Sequence, residues 1–511
     1  MAEVSRTARV IQNAKVALFF YCINLVLQFF SRKIFLDYLG AELLGLNTTA
    51  QNLLQFLNLA ESGIGTAVAF ALYKPLSQKN RQEIIDIVSL QGWFYRWVGL
   101  FVIAGSIVLM AFFPWIFAKT KVPLIYVYGT YIAFLISSLL SYFVNYKIIV
   151  LSADQKEYKI TMETQTIKVI KVLFQMIAIW KLPQGYLWWM ALEALSGVIT
   201  SIRLNLCVKK EYPWLSVSTY SGREHLKNYD FLVVRIKQFF FQHMASFVLL
   251  QSTPLLIYIF SGLTEVAIYG NYLIIIGSCF MLSARFELSL QAGVGNLVAV
   301  GSLDRIKSVF WEIYTIRLLI SGYICCAFFI LVEPFIKLWI GESYILSLPA
   351  LILMTAIYFI QMSQTTNMFL KAYGLFRDVW APVAQALLNI CLSIGFGYFL
   401  GISGVLMGVF ISQVLIIKLW KPYFLYKEAF HENFIEYIVL YIKKLSILFM
   451  VFMLTFVLSS NFVLIGNYNY CDWIMYAVIV SIIYCCIGSL FFYVLDHSFR
   501  EVLHSKIKNL L

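Results

Sequence analysis

The chain alternates long apolar runs with short polar breaks. About twenty apolar residues are needed to cross the hydrocarbon core as a helix, and about fourteen runs reach that length. Of 511 residues, 61% are hydrophobic and only 13% are charged, which predicts an all-α integral membrane protein. The predicted spans are 14–36, 44–73, 90–113, 124–150, 160–180, 186–208, 236–260, 266–299, 309–332, 346–370, 380–400, 403–424, 436–459 and 473–495.

The basic residues predict an orientation for these spans. With the N-terminus inside, about 29 of the 39 Lys and Arg fall in cytoplasmic segments and about six fall outside. In this count only Arg96, Lys168, Lys171 and Arg285 lie within spans or at their ends. Both termini are therefore predicted to be cytoplasmic. Because the net charge of +13 is spread over short loops, it favours membrane lipids as partners and not nucleic acid.

An internal duplication with an offset of about 220 residues predicts two parallel lobes of six spans each. Gly63-Ile64-Gly65 recurs as Gly293-Val294-Gly295, and Pro114 recurs as Pro334. Spans thirteen and fourteen lie outside the repeat. The predicted division is an N-lobe at 1–208, a cytoplasmic linker at 209–235, a C-lobe at 236–424, and the last two spans with a cytoplasmic tail at 425–511.

Polar residues recur at helical spacing within several spans, where a lipid-facing surface would be apolar. Such stripes indicate either a hydrated lumen or hydrogen bonds between packed helices. Five spans carry them, three in the first half and two in the second, which favours a lumen. The candidate lumen residues are Asn24 and Gln28 in the first span; Asn47, Gln51, Gln55, Asn58 and Glu61 in the second; Lys168 and Lys171 in the fifth; Arg285 in the eighth; and Asn389 in the eleventh.

Four cations, Arg32, Lys168, Lys171 and Arg285, predict a cationic lumen that suits an anionic substrate. Arginine can hold a phosphate through paired N–H donors. Each cation has an alternative. Arg32 lies near a span end, where its side chain could extend to the interface. Lys168 and Lys171 could be solvated on the cytoplasmic side, and Arg285 could pair with an acid.

Two further ionisable groups could couple transport to an ion gradient. Glu61 is either a proton or sodium site or a counter-ion for Arg32. His243, in the seventh span, is either a proton relay or a buried, hydrogen-bonded histidine. No metal site and no cofactor is predicted beyond possible H⁺ or Na⁺ coupling. The chain contains no P-loop, H-E-x-x-H or G-x-S-x-G motif, so it is not predicted to be an enzyme.

The second span and its surroundings resemble the Wzx-type polysaccharide transporters, which share a superfamily with lipid II flippases and multidrug extruders. The resemblance rests on Phe35-Leu36-Asp37-Tyr38-Leu39-Gly40 through Leu46, and on Leu59-Ala60-Glu61-Ser62-Gly63-Ile64-Gly65. The segments Lys209-Lys210-Glu211-Tyr212-Pro213 and Leu338-Trp339-Ile340-Gly341 are similar to family features as well. The resemblance covers the first twelve spans.

The resemblance implies a flippase in the bacterial cytoplasmic (inner) membrane. Its substrate would be an undecaprenyl-diphosphate-linked oligosaccharide, moved to the outer leaflet by alternating access for O-antigen, capsule or exopolysaccharide. A polymerase and a chain-length regulator would be its partners, and Arg32 and Arg285 would match arginines of the lipid II flippases. The chain departs from relatives that have an acid in the seventh span, where it has Gln251-Ser252-Thr253-Pro254. Two alternatives are a multidrug or cation extruder, which needs an acidic lumen, and a polymerase, which needs a large outer loop.

Overall fold

The computed structural model describes residues 6–218, 222, 226–375, 378, 380–462 and 468–500, and this part of the chain contains helices and turns but no strand. The α-helices are α1 (Arg6–Asn58), α2 (Ile64–Gln78), α3 (Arg81–Ala111), α4 (Phe113–Ile116), α5 (Leu124–Phe143), α6 (Ile149–Ala153), α7 (Glu157–Lys181), α8 (Gly185–Glu211), α9 (Asp230–Ser261), α10 (Leu263–Val300), α11 (Leu303–Trp339), α12 (Leu348–Met362), α13 (Thr366–Ala372), α14 (Trp380–Gln413), α15 (Lys421–Leu425), α16 (Phe434–Ser460) and α17 (Tyr470–Leu495). Two π-helical turns, Val414–Trp420 and Tyr426–Phe430, flank α15.

Ten helices in the described ranges are long and apolar enough to cross a membrane. Large apolar side chains cover their surfaces, among them Ile107 at 61% exposed and Phe399 at 80%. Water would not tolerate so much apolar area on a monomer, whereas lipid would. The predicted all-α membrane fold is therefore confirmed, while the count of fourteen spans stays a prediction.

Two of the ten helices are long enough for two crossings each, and a glycine interrupts both. Gly40 takes φ 82° and ψ 172° within α1, and Gly401 takes φ 56° and ψ −133° within α14. Glycine reaches positive φ without the steric penalty that a Cβ atom brings. Both glycines lie in breaks between predicted spans, so each continuous helix contains a turn where the sequence predicts a short loop.

The chain divides into two compact units, an N-terminal unit at Met1–Ala267 and a C-terminal unit at Ile268–Leu511. In the N-terminal unit, α7 packs against α1 and α8, and α5 packs against α1 and α8. In the C-terminal unit, α16 and α17 pack against each other and against α11. Predicted spans thirteen and fourteen are thus part of the second unit. The four-part division predicted from the repeat stays a prediction.

A cluster of aromatic rings forms the core of the C-terminal unit. Phe310 of α11 lies 5.1 Å from Phe369 and 5.6 Å from Phe430, in both cases edge to face. Tyr314 and Tyr437 join the same cluster, and both are almost fully buried. Edge-to-face contacts add about 0.5–1.5 kcal/mol per pair to the burial of apolar area. These ring contacts hold α16 and the turns around α15 against α11.

The two copies of the predicted repeat differ in local structure. Gly63 has φ 92° and precedes α2, so the predicted span 44–73 is interrupted after Asn58. Gly293 lies inside α10, which is helical from Leu263 to Val300. The same glycine pattern therefore ends a helix in the first copy and continues one in the second.

Candidate functional site

A cavity of about 270 Å³ lies within the N-terminal unit, between α1, α5, α7 and α8. Most of its polar wall comes from residues that the sequence predicts to face a lumen. Its lining residues are Gln28, Ser31, Arg32, Phe35, Leu44, Asn47, Thr48, Gln51, Phe134, Lys171, Val172, Gln175, Met176, Ile179, Trp189 and Glu193.

Both arms of α1 contribute to this cavity. Gln28 and Arg32 lie four residues apart before the Gly40 break, and Asn47 and Gln51 lie four residues apart after it. Residues four apart share one face of a helix. The break at Gly40 therefore lets one helix line the cavity twice, from two predicted spans.

Arg32 supplies a cation directly to the cavity wall. Its Nη2 atom donates a hydrogen bond to the carbonyl oxygen of Ala267, at 3.1 Å. The side chain is half-buried and does not extend away into the surroundings of α1. A guanidinium carries five N–H donors in a rigid fork whose geometry matches that of a phosphate.

Lys171 enters the cavity as one half of an ion pair. Its Nζ lies 2.8 Å and 2.9 Å from the two carboxylate oxygens of Glu193. Gln175 completes the group by donating to Glu193 Oε2 at 3.0 Å and to the carbonyl oxygen of Trp189 at 3.2 Å. The wall thus contains two cations, Arg32 and Lys171, and one carboxylate. Its formal charge is positive by one.

Lys168 does not line the cavity, although the sequence predicts it on the same face as Lys171. It lies one turn earlier on α7, and its side chain is exposed. Thr164, one turn before Lys168, donates its hydroxyl to the Ile160 carbonyl oxygen of the same helix at 2.8 Å, and it does not line the cavity either. Only the later half of α7 therefore lines this cavity.

Several predicted lumen residues join helices by hydrogen bonds. Asn24 Nδ2 donates to Gln165 Oε1 at 3.1 Å, which links α1 to α7. Asn47 Oδ1 accepts a bond from the Tyr186 hydroxyl at 2.7 Å, and Asn58 Oδ1 accepts one from Ser138 at 2.8 Å. Asn47 serves both purposes, since it also lines the cavity.

The stripe predicted along the second span ends sooner than its spacing implies. Gln55 is half-buried on α1, but Glu61 lies in the 3₁₀ turn Leu59–Glu61, beyond the end of the helix. There Glu61 lies beside the hydroxyl group of Tyr142. Because the helix stops at Asn58, Glu61 does not continue the face that carries Asn47 and Gln51.

Asn389, the candidate lumen residue of the eleventh predicted span, is not among the residues that line this cavity. Asn389 is buried in α14 of the C-terminal unit, where its Oδ1 accepts a bond from Ser393 at 3.0 Å. The side chains of Arg285 and His243 lie outside the described residues.

The structure corrects the charge count in the C-terminal unit. The count omits Arg317, Lys418 and Lys444 from its span residues although the predicted spans 309–332, 403–424 and 436–459 contain them, and in the structure all three lie in helices and are only 3–4% exposed. Lys444 pairs with the carboxylate of Asp496, and its Nζ also donates to Thr315 at 2.7 Å. Buried charge needs such partners, which are far apart in the sequence.

The other two buried cations meet at the gap between α12 and α13. Arg317 Nη2 donates to Glu287 at 2.9 Å and to the carbonyl oxygen of Met362, also at 2.9 Å. Lys418 Nζ donates to the hydroxyl of Ser363 at 2.8 Å. The last carbonyl of α12 is therefore capped by a guanidinium. Sequence periodicity misses these residues because each sits singly in an apolar run.

A second cavity, of about 580 Å³, lies within the C-terminal unit and is almost entirely apolar. It runs between α11, α12, α16 and α17, and Phe329, Phe359, Phe449 and Phe456 form much of its wall. The helices of spans thirteen and fourteen thus supply one side of an apolar groove.

No family model and no curated protein matches the chain. Solved structures do match. The lipid II flippase MurJ, in an inward closed conformation, has a TM-score of 0.62 at 14% identity, over 95% of this chain and 99% of that chain. The chain has the MurJ fold. A multidrug-resistance MATE transporter of the MOP superfamily, facing inward, has a TM-score of 0.57 at 14% identity, over 79% of this chain and 96% of that chain.

The MurJ fold agrees with the predicted fold class over 95% of the chain. At 14% identity the likeness shows the fold and not the substrate. The finer assignment to the Wzx-type transporters stays a prediction.

Proposed function

We propose that this protein is a flippase that moves an undecaprenyl-diphosphate-linked oligosaccharide from the cytoplasmic to the outer leaflet. The observation that carries the proposal is the charge of the cavity in the N-terminal unit. Arg32 and Lys171 line it, and Glu193, the one carboxylate among its described lining residues, is held by Lys171. A diphosphate is the anion that such a wall suits, and a guanidinium can bind it through two parallel bonds.

The apolar groove of the C-terminal unit supports a lipid-linked substrate. A polyprenyl chain needs apolar surface along its length, and burial contributes about 25 cal/mol per Å² of apolar area. The groove offers such a surface beside Phe329 and Phe449. MurJ, which has the same fold, is by its name a flippase of a lipid-linked substrate.

The alternative is an extruder of drugs or other cations, as the MATE neighbour is by its name a multidrug transporter. A cationic substrate needs a carboxylate that can receive it. Glu193 already accepts bonds from Lys171 and Gln175, and Arg32 shares the cavity. A cationic substrate would have to overcome the net positive charge of the cavity wall, so an anionic substrate is favoured.

Alternating access between two lobes would carry the substrate across, driven by a proton or sodium gradient or by the substrate gradient. Glu61, beside Tyr142, is the residue of the N-terminal unit best suited to take up the ion. The protein would act in the bacterial cytoplasmic membrane. A polymerase and a chain-length regulator would use the oligosaccharide that it delivers.

Replacing Arg32 by Ala tests the phosphate role. The purified variant is reconstituted in liposomes with a fluorescent lipid-linked oligosaccharide, and the flipped fraction is measured by its loss of fluorescence to a membrane-impermeant quencher. Loss of charge-assisted bonds worth about 1.5–3 kcal/mol should slow flipping about 10- to 150-fold. Arg32→Lys should restore only part of the rate, because an ammonium lacks the bidentate geometry.

Lys33→Ala is the matched control, since Lys33 is the next residue, its side chain is 44% exposed, and its Nζ lies 3.7 Å from a carboxylate oxygen of Asp37. Its flipping rate should equal that of the wild type. Normal flipping by Arg32→Ala would overturn the phosphate role. Failure of the wild type to flip the lipid, together with export of cationic drugs, would overturn the flippase assignment.

A further inference from the structure

A groove of about 570 Å³ lies on the N-terminal unit between α5 and α8, away from the cavity that contains Arg32. One part of it is apolar. Leu140 of α5 and Val144, the residue after α5, form one wall, and Val198, Ile202 and Leu206 of α8 form the other. The three α8 side chains are 37%, 55% and 56% exposed. An acyl chain can cover apolar side chains that are exposed to this extent at the end of a membrane helix.

The other part of the groove is basic. Lys147, which follows α5, and Lys209, in the last turn of α8, are its charged lining residues, and none of the described residues that line it is a carboxylate. The polar groups beside them are Asn205 and Tyr212. Asn205 donates to the Val144 carbonyl oxygen at 3.4 Å, which closes the groove between the two helices.

The nearby carboxylates are already held by other lysines. Asp154 lies 2.8 Å from Lys156 Nζ, and Glu211 pairs with both Lys156 and Lys159. Burial acts to lower the pKa of Lys156, but the bonds with Asp154 and Glu211 outweigh it and raise that pKa above its usual value. Lys156 therefore stays charged and keeps these acids neutralised.

Lys147 and Lys209 have no carboxylate partner within the described part of the chain. Both lie at the end of the unit that the charge distribution predicts to be cytoplasmic. The cytoplasmic leaflet is rich in anionic lipid, and basic pockets between helices at that level bind lipid head groups.

We infer that this groove binds an anionic phospholipid of the cytoplasmic leaflet. Its phosphate lies at Lys147 and Lys209, and one acyl chain lies along Val144, Val198 and Ile202. The exposed apolar wall is then covered, and both ammonium groups receive a counter-charge. This lipid is a bound component of the N-terminal unit, separate from any transported substrate.

Native mass spectrometry of the purified full chain tests the site, with phosphatidylglycerol and phosphatidylcholine of equal chain length as probes. Phosphatidylglycerol should bind at least about tenfold more tightly. Lys147→Gln and Lys209→Gln should each weaken phosphatidylglycerol binding about fivefold, and both together about 25-fold, because each lysine contributes one charge contact with the lipid phosphate. Lys147→Arg and Lys209→Arg should keep most of the affinity, which shows that the fold is intact.

Lys210→Gln is the matched control, because Lys210 is adjacent, exposed and outside the groove. Its affinity should remain that of the wild type. Ile202→Trp, which fills the apolar half, should weaken lipid binding without any loss of charge. Equal loss with Lys210→Gln would reduce the effect to general surface charge and overturn the site. Displacement of the lipid by equimolar soluble glycerol phosphate would overturn the acyl-chain contact.

Discussion

Replacing Glu193 by Gln removes the carboxylate that holds the Lys171 ammonium in the cavity wall. The two side chains are 13% and 16% exposed, so the pair is largely but not wholly buried. Breaking a fully buried pair costs about 3–5 kcal/mol, and partial exposure reduces this to about 2–3 kcal/mol for either single variant, Glu193→Gln or Lys171→Met. The double variant leaves no charge behind. It should lie within about 1 kcal/mol of the wild type.

The assay is equilibrium unfolding in mixed micelles of mild detergent and SDS, followed by circular dichroism. A loss of less than about 0.5 kcal/mol of unfolding free energy in both single variants, or a loss in the double variant equal to the sum of the two, would refute the ion pair as a stabilising unit.

The flipping rate per folded molecule adds a second test. Lys171→Met makes the wall neutral and should slow an anionic substrate, whereas Glu193→Gln should not. Equal slowing in both would show that the sign of the wall charge is irrelevant.

Three further outcomes are expected. Lys444→Met should lower the free energy of unfolding by about 3–5 kcal/mol in the same assay, because it leaves the buried carboxylate of Asp496 unpaired. Replacement of its exposed neighbour, Lys443→Met, should change the free energy of unfolding by less than about 0.5 kcal/mol, and equal effects of the two variants would contradict the buried pair. Gly40→Ala should cost about 1–3 kcal/mol, because its φ of 82° and ψ of 172° disfavour a Cβ atom, and an unchanged stability would refute that strain. In intact cells, an impermeant maleimide should label Cys471 but not a cysteine replacing Lys210, and the reverse pattern would invert the predicted orientation.

The polar wall of α1 could be predicted because helical spacing fixes which residues share a face. Gln28 with Arg32, and Asn47 with Gln51, follow that spacing, and the structure brings both pairs to one cavity. The spacing could not show that Glu61 lies past the helix end. That end depends on Gly63, whose φ of 92° cannot be read from a periodic pattern.

The pairing of charges could not be predicted, because partners lie on different helices. Glu193 is 22 residues from Lys171, and Asp496 is 52 residues from Lys444. Counting loop charges treats each lysine as solvated unless it stands in a polar stripe. Lys418 lies singly among apolar residues and Lys444 follows an exposed lysine, Lys443, so their burial became visible only with the packed helices.

The carboxylate of Glu193 is a resident competitor for any anion that approaches Lys171. A phosphate that binds this ammonium must displace a ligand that is already bonded through two oxygens. The attraction between the phosphate and Lys171 would therefore be weaker than with an unpaired ammonium, and the phosphate would stay bound for a shorter time. A transport site has to be vacated as readily as it is filled. In the proposed transport cycle, Arg32 would therefore capture the phosphate, and the exchange at Lys171 would favour its release.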